Sequence, residues 1–266
     1  MKRPDSPTIN PPPRGEIRYR LTVAYDGTSF HGFARNPDVK TVEGLLTGAL
    51  AKVIGRIPVL TCAGRTDTGV HAKAQIVSFD SEPFEIEKIQ KALNSICGPS
   101  VAVSNIEQTS DDFNARFSAK SRTYRYQVLN QRDPDPFLSR YSWHIRAPVS
   151  IEIMNQAGQQ LLGEHDFTSF CRKRTIEIEG KQTLASLKRE ITSLRWEATD
   201  QNLVELWITA NAFCHQMVRS ITGTLIEIGL GKISESSISE ILEARDRSAA
   251  GQVAPPHGLT LWEVNY

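Results

Sequence analysis

Ten residues between two short apolar runs concentrate groups that do chemistry. Ala63-Gly64-Arg65-Thr66-Asp67-Thr68-Gly69-Val70-His71-Ala72 brings a guanidinium, a carboxylate and an imidazole into one loop. Its two glycines open backbone conformations that other residues avoid, so the loop can hold Asp67 rigidly towards a cleft. The plain alternative is a surface hairpin in which Arg65 and Asp67 form a weak exposed ion pair. Two enzymatic readings fit only part of the string. Asp67-Thr68-Gly69 has the D-T-G form of aspartic proteases, which need two carboxylates sharing a proton, and the chain has no second D-T-G or D-S-G. A phosphorylated aspartate followed by Thr-Gly needs neighbouring carboxylates for magnesium, and neither the adjacent residues nor the flanking strands supply one.

The elements that must position this loop follow from apolar spacing. Ile17, Tyr19, Leu21, Val23 and Tyr25 alternate with polar residues, the period of a half-buried strand. Thr41 caps a helix through Val42, Leu45, Leu46, Ala49, Leu50 and Val53, which stops at Gly55. Strands are expected at Ile57–Cys62 and Ala74–Phe79, then a helix through Ile86, Ile89, Leu93 and Ile96 and a strand at Val101–Ile106. The order β-α-β-β-α-β is that of the split βαβ, or ferredoxin-like, unit. The second half has a similar pattern. A strand at Arg122–Leu129 precedes a helix at Ile151–Leu162, capped by Ser150 and closed by Gly163. Strands follow at Lys188–Ala198 and Asn202–Ala210. A long helix then runs through Met217, Ile221, Leu225 and Ile228, with a shorter one near Ile238–Leu242 and a last strand at Leu259–Val264. The expectation is an α+β protein of two ferredoxin-like halves with antiparallel or mixed sheets: a proline-rich tail at 1–15, a domain at 16–112 carrying the loop, and a second domain at 113–266.

Composition excludes several classes. Apolar residues at 39% and charged residues at 23% suit a soluble globular chain, and no run approaches the ~18 apolar residues of a membrane span. Cys62, Cys97, Cys171 and Cys214 include no C-x-x-C pair, which argues against structural zinc and a disulfide framework and favours a reducing cytosol. The net charge of +1 is uninformative about a polyanionic partner, but its distribution is uneven. Between Asn114 and Arg146 seven basic residues face two acids, whereas Leu225–Arg247 has five acids and three bases. Within the basic stretch Tyr124 lies among Arg122, Arg125 and Tyr126; aromatic faces interleaved with arginines can stack a base and bind its backbone. Equally, Tyr124 and Tyr126, two residues apart, share one face of a strand.

Gly64–Ala72 matches G-R-T-D-x-G-V-H-A, the active-site signature of the tRNA pseudouridine synthase A family, and the chain resembles that family from Arg18 to Tyr266. Tyr25-Asp26-Gly27-Thr28-Ser29-Phe30-His31-Gly32 is similar to Y-D-G-x-x-F-x-G, and Lys120–Tyr126 to K-x-R-x-Y-x-Y. Gly163–Phe167 resembles G-x-H-D-F, Phe213–Arg219 resembles F-L-H-x-M-V-R, and Ala254–Leu259 resembles A-P-x-x-G-L. One departure is Phe33-Ala34-Arg35, where the family usually shows Trp-Gln after the glycine.

The resemblance implies two α/β halves flanking a central cleft, and isomerisation of uridines 38, 39 and 40 in the anticodon stem-loop of tRNA to pseudouridine. The reaction breaks a glycosidic bond and rejoins the base through C5, so it transfers neither electrons nor phosphate and calls for no redox cofactor or metal. The resemblance assigns Asp67 as the catalytic carboxylate, acting as nucleophile or base, and Arg219 as its ion partner. Position alone would leave Arg219 solvent-exposed near a helix start. Arg65 then holds a phosphate or helps eject the base, and Tyr124 and Leu259 stand on the substrate-binding side. His71, His215 and Cys214 are left as structural residues. A cytoplasmic homodimer binding the tRNA anticodon arm across both subunits is also implied. The rival from another class is a non-catalytic RNA-binding module of ferredoxin-like fold, although the R-G-F-G-F-V-x-F signature of RNA recognition motifs is absent.

Overall fold

In the computed structural model, which describes residues 9–172, 175–178, 181–184 and 186–266, the chain forms two compact units. One holds the chain as far as Lys120 and takes back Leu261–Tyr266; the other is Ser121–Thr260. The protein is of mixed α+β class.

The first unit runs β1 (Ile17–Tyr25), α1 (Val42–Ile54), β2 (Thr61–Cys62), β3 (His71–Ser81), α2 (Ile86–Cys97) and β4 (Val101–Gln108), the β-α-β-β-α-β order read from spacing. Its strands pair antiparallel in the order β4-β1-β3-β2. Tyr19, Leu21 and Val23 of β1 are fully buried, and the Tyr19 ring stacks on Phe84 at 4.2 Å and Phe79 at 5.8 Å. The Thr41 hydroxyl accepts the Gly44 N–H at 3.2 Å, and Gly55 ends α1 in the left-handed conformation. The strand expected at Ile57–Cys62 shrinks to Thr61–Cys62. Pro58 has no N–H for a ladder, and Ile57 and Val59 stand exposed.

The second unit runs β5 (Ser121–Asn130), β6 (Trp143–Ile145), α3 (Ile151–Gln159), β7 (Gly163–Asp166), the hairpin β8 (Thr175–Ile178) and β9 (Lys181–Leu184), β10 (Lys188–Ala198), β11 (Leu203–Ala210), α4 (Met217–Gly229) and α5 (Ser237–Ala244). The last strand, β12 (Leu259–Asn265), begins here and ends in the first unit. β7, β10, β11 and β5 pair antiparallel in that order, and β6 runs parallel to the end of β5. β5, α3, β10, β11, α4 and β12 thus follow the β-α-β-β-α-β order of the first unit, with β6, β7, β8, β9 and α5 added. α3 stops at Gln159, short of the expected Leu162, because Leu161 and Leu162 close tighter three-residue turns on Gly158 and Gln159. Gly163–Asp166, a loop by its polarity, pairs with β10 as an edge strand.

Each unit protects a strand edge with one helical asparagine. Asn94 of α2 donates to the Val103 carbonyl (2.9 Å) and accepts the Val103 N–H (2.7 Å) on the edge of β4. Asn155 of α3 does the same for Trp196 of β10, beyond the stretch that β7 covers, at 2.9 and 2.7 Å. Removing either amide leaves a strand N–H and C=O without protein partners. Asn94→Ala and Asn155→Ala are each expected to lower unfolding free energy by about 1–3 kcal/mol in urea titrations. Gln90→Ala, which loses one exposed bond to Ser104 O, is expected to change it by no more than about 0.5 kcal/mol.

Candidate active site

The loop between β2 and β3 is fixed through its backbone. Gln75, fully buried on β3, accepts the Gly64 N–H at 3.3 Å and donates to the Gly64 carbonyl at 2.6 Å. The next anchor is Thr66, whose carbonyl accepts the Phe33 N–H at 3.1 Å and whose hydroxyl shares a buried 2.8 Å hydrogen bond with Tyr25 OH. Tyr25 reaches it from the end of β1, just past an irregularity in the β1–β3 register. Asp67 through Val70 then form a turn closed by the Val70 N–H on the Asp67 carbonyl at 3.1 Å. Gly69 takes φ +77° at the third position, where a type II turn needs positive φ.

Backbone also meets backbone across the loop. A Cβ on Gly27 would lie 2.0 Å from the Val70 carbonyl oxygen, and one on Gly32 would lie 2.8 Å from that of Thr66. The segment after β1 therefore grips the loop at both ends, and any side chain at Gly27 would force them apart. His71 belongs to this grip. The Gly27 N–H donates to its Nδ1 at 2.9 Å. The Asp26 carboxylate lies 3.3 Å from the same nitrogen. Asp67 emerges from this platform half-buried, and Arg65 is exposed. At the departure from the family motif, Phe33 is buried, its ring 6.2 Å from that of Tyr25, and only Arg35 reaches solvent fully.

The other candidate residues belong to the second unit. Along β5 the alternation buries Arg122, Tyr124, Tyr126 and Val128 on one face. Tyr124 meets Phe213 edge-on at 5.1 Å, and Arg122 donates to the Asn211 carbonyl at 2.9 Å. Arg125, on the opposite face, pairs with Glu205 at 3.3 Å and Gln127 at 2.8 Å; burial pulls its pKa down against the pull of Glu205. Arg219, third residue of α4, is half-buried. Its Nε donates to the Ala254 carbonyl at 2.7 Å, and its own carbonyl accepts the Ala254 N–H at 3.0 Å. Tyr126 OH donates to Pro255 O at 2.8 Å, and burial raises its pKa far above the usual phenol range, with Arg219 opposing. Gly258 lies where a Cβ would approach the Tyr126 ring to 2.6 Å, and Leu259 follows it, buried, at the start of β12.

Arg65 and Asp67 thus share one loop of the first unit, whereas Tyr124, Arg219 and Leu259 lie in the second. Sequence reasoning gave no role to Tyr25, Gly27, Gln75 or Gly258; the visible signal was the glycine in Tyr25-Asp26-Gly27 and in His257-Gly258. The polar stretch at His165-Asp166-Phe167 is tied down by local hydrogen bonds and one buried ring. His165 Nε2 lies 2.8 Å from Leu162 O, the Asp166 carboxylate caps Thr168, and Phe167 is fully buried.

The family model described as tRNA pseudouridine synthase matches residues 21–118 and 157–266. The chain belongs to the tRNA pseudouridine synthase family. The tRNA pseudouridine synthase A of Bacillus subtilis (strain 168) is 42% identical over 255 residues, covering 94% of this chain and 99% of that protein. The synthase of the same name from Brevibacillus brevis is 40% identical over 252 residues, and that from Brucella ovis 38% over 254, each covering 94% of this chain. As a member of the tRNA pseudouridine synthase family the protein is an isomerase. Among the described residues no helix is long and apolar enough to cross a membrane, and no cluster of three or more His, Cys, Asp or Glu could hold a metal ion.

Burial lowers the pKa of His257 below its ordinary 6.5, Arg219 adds to the effect, and a hydrogen bond with the Ser142 backbone opposes it. The folded chain therefore binds this proton less tightly than the unfolded chain. Stability present above about pH 6.5 is lost as pH falls through that value towards the folded pKa. The wild-type urea midpoint is expected to fall more between about pH 7.5 and 5.5 than that of His257→Gln. An equal fall in both would contradict the assignment.

Proposed function

We propose that the protein isomerises uridines 38, 39 and 40 in the anticodon stem-loop of tRNA to pseudouridine, with Asp67 supplying the reacting carboxylate. The observation that carries this reading is the double grip on the signature loop, through Gly27 and Gly32 on one side and Tyr25 and Gln75 on the other. A carboxylate that must act at one sugar carbon gains from being pre-positioned rather than found by a mobile loop. Asp67 either adds to C1′ or removes a sugar proton to form a glycal. In both routes the N1–C1′ bond breaks and the uracil rotates; C5 then bonds C1′ as the carboxylate leaves C1′ or as the abstracted proton returns to the sugar, C5 gives up its proton, and N1 ends protonated.

An aspartate closed against an extruded nucleotide loses water and tends to protonate, so a neighbouring guanidinium keeps it ionised. Arg219 is proposed for that role. Its support is local: the bond to Ala254 orders the side chain and α4 holds its backbone. Arg65, exposed on the loop, is proposed to meet a phosphate or to occupy the space left by the extruded base. Tyr124 and Leu259 are proposed on the substrate side. A cytoplasmic homodimer that binds the anticodon arm across both subunits completes the proposal.

Tritium release from tRNA transcripts carrying 5-tritiated uridine reports the exchange at C5 directly. Asp67→Asn is expected to lower the rate by roughly 10³-fold or more while retaining tRNA affinity. Equal tRNA binding by both proteins with no release from either would instead support the non-catalytic RNA-binding module.

A further inference from the structure

α4 carries Gly223 in its interior, where glycine weakens a helix, and the reason is the segment that crosses it. A Cβ on Gly223 would overlap the Gln252 carbonyl oxygen, so residues 251–255, which have no regular structure, lie directly against the helix backbone. A strap of this kind has no ladder to take up its N–H and C=O groups, which must find partners elsewhere. The Gly251 N–H donates to Thr224 Oγ1 at 3.0 Å, and the Ala254 N–H donates to the Arg219 carbonyl at 3.0 Å. The Ala254 carbonyl accepts Arg219 Nε at 2.7 Å, and the Pro255 carbonyl accepts the Tyr126 hydroxyl at 2.8 Å. Arg247, just before the strap, donates from Nη2 to the Gly251 carbonyl at 2.9 Å.

The tie to Thr224 differs from the rest. Thr224 is fully buried, more than one helical turn beyond Arg219, and cannot meet a substrate. Its hydroxyl is used in both directions: it donates to the Ser220 carbonyl at 2.8 Å and accepts the Gly251 N–H. Thr222 supplies an internal comparison. It is equally buried and makes the same donation one residue pair earlier, to the Val218 carbonyl at 2.8 Å, but among the described residues it accepts no N–H from the strap. The two threonines therefore differ in a single acceptor function.

We propose that Thr224 is a positioning residue for the tRNA reaction. By accepting the Gly251 N–H it seats the strap on α4, and the strap in turn fixes the Arg219 side chain through the Ala254 carbonyl and leads into Leu259. Gly251 is buried, so without that acceptor its N–H draws the strap outward towards water. Ala254 moves with it, and Arg219 Nε loses a fixed partner. The inference rests on the reading of Arg219 and Leu259 as site residues.

Variants separate the hydroxyl from the volume it occupies. Thr224→Val keeps the shape and removes the acceptor, Thr224→Ser keeps the acceptor and removes the methyl, and Thr222→Val removes a helix back-bond without touching the strap. Rates of tritium release from 5-tritiated tRNA, normalised to folded protein, are expected to show kcat roughly tenfold lower in Thr224→Val with KM changed by less than about twofold. Thr224→Ser and Thr222→Val are expected to stay within about twofold of wild type in kcat. A packing role alone reverses the order at position 224, because serine leaves a cavity and valine does not. Hydrogen exchange followed by mass spectrometry on the free proteins is expected to show the amides of residues 251–255 exchanging roughly tenfold faster in Thr224→Val only. Equal turnover in Thr224→Val and Thr222→Val, a larger loss in Thr224→Ser than in Thr224→Val, or unchanged exchange across the strap would overturn the proposal. A wild-type protein that releases no tritium overturns the isomerase reading instead, and the exchange measurement then decides by itself whether Thr224 holds the strap.

Discussion

The contact that everything in the first unit serves is the backbone-to-backbone approach between Gly27-Gly32 and Thr66-Val70. At Gly27 no side chain fits, because a Cβ would fall 2.0 Å from the Val70 carbonyl oxygen. Closeness of this kind is set by two strands and a helix together. β1 delivers Tyr25 to Thr66, β3 delivers Gln75 and His71, and the cap of α1 follows directly, with the Val42 N–H on the Gly32 carbonyl at 3.3 Å. A short loop that would fray by itself becomes part of the core, with only Arg65 and Thr68 fully exposed.

The second unit solves a related problem with different atoms. Arg219 opens α4, and Ala254 is tied to it through both its backbone N–H and its carbonyl. Tyr126 anchors Pro255, and Gly258 permits the close pass over its ring. Two sequence motifs some forty residues apart thereby become one structural object. Both units also place a helical asparagine against an exposed strand edge, so the repeated element order is matched by a repeated hydrogen-bonding device.

Element order was legible because the strands and helices that matter have strong periods: β1 alternates cleanly, and α1 has both a threonine cap and a glycine stop. Weakly patterned pieces were hidden. β7 is polar throughout, and its pairing with β10 is made by backbone rather than side chains. Pro58 cuts short a strand that apolar content alone suggested. The grouping of Leu261–Tyr266 with the first unit depends on contacts remote in sequence, such as Tyr266 OH donating to Ala115 O at 2.7 Å and its ring 4.8 Å from Phe113. At the candidate site the residue types Asp67, Arg65, Tyr124 and Arg219 could be nominated from motifs. The residues that hold them, Tyr25, Gln75 and Gly258, carry no chemical label in a sequence, since their contribution is a distance rather than a reactive group.

The isomerisation proposed for this chain, which moves one bond within one nucleoside, would need little beyond a carboxylate at the right carbon and an enclosure for the freed base. A loop clamped through its main chain suits that demand, because it fixes where Asp67 starts without spending charged groups to do so. The decisive measurement is position-resolved nucleoside analysis of an unmodified tRNA transcript after incubation with the purified chain, run beside Asp67→Glu, which keeps the charge and displaces it by one methylene. The account predicts pseudouridine confined to positions 38–40 with the wild type and a severe loss with the glutamate variant. Unmodified uridine after stoichiometric wild-type protein, or full activity in Asp67→Glu, would contradict it.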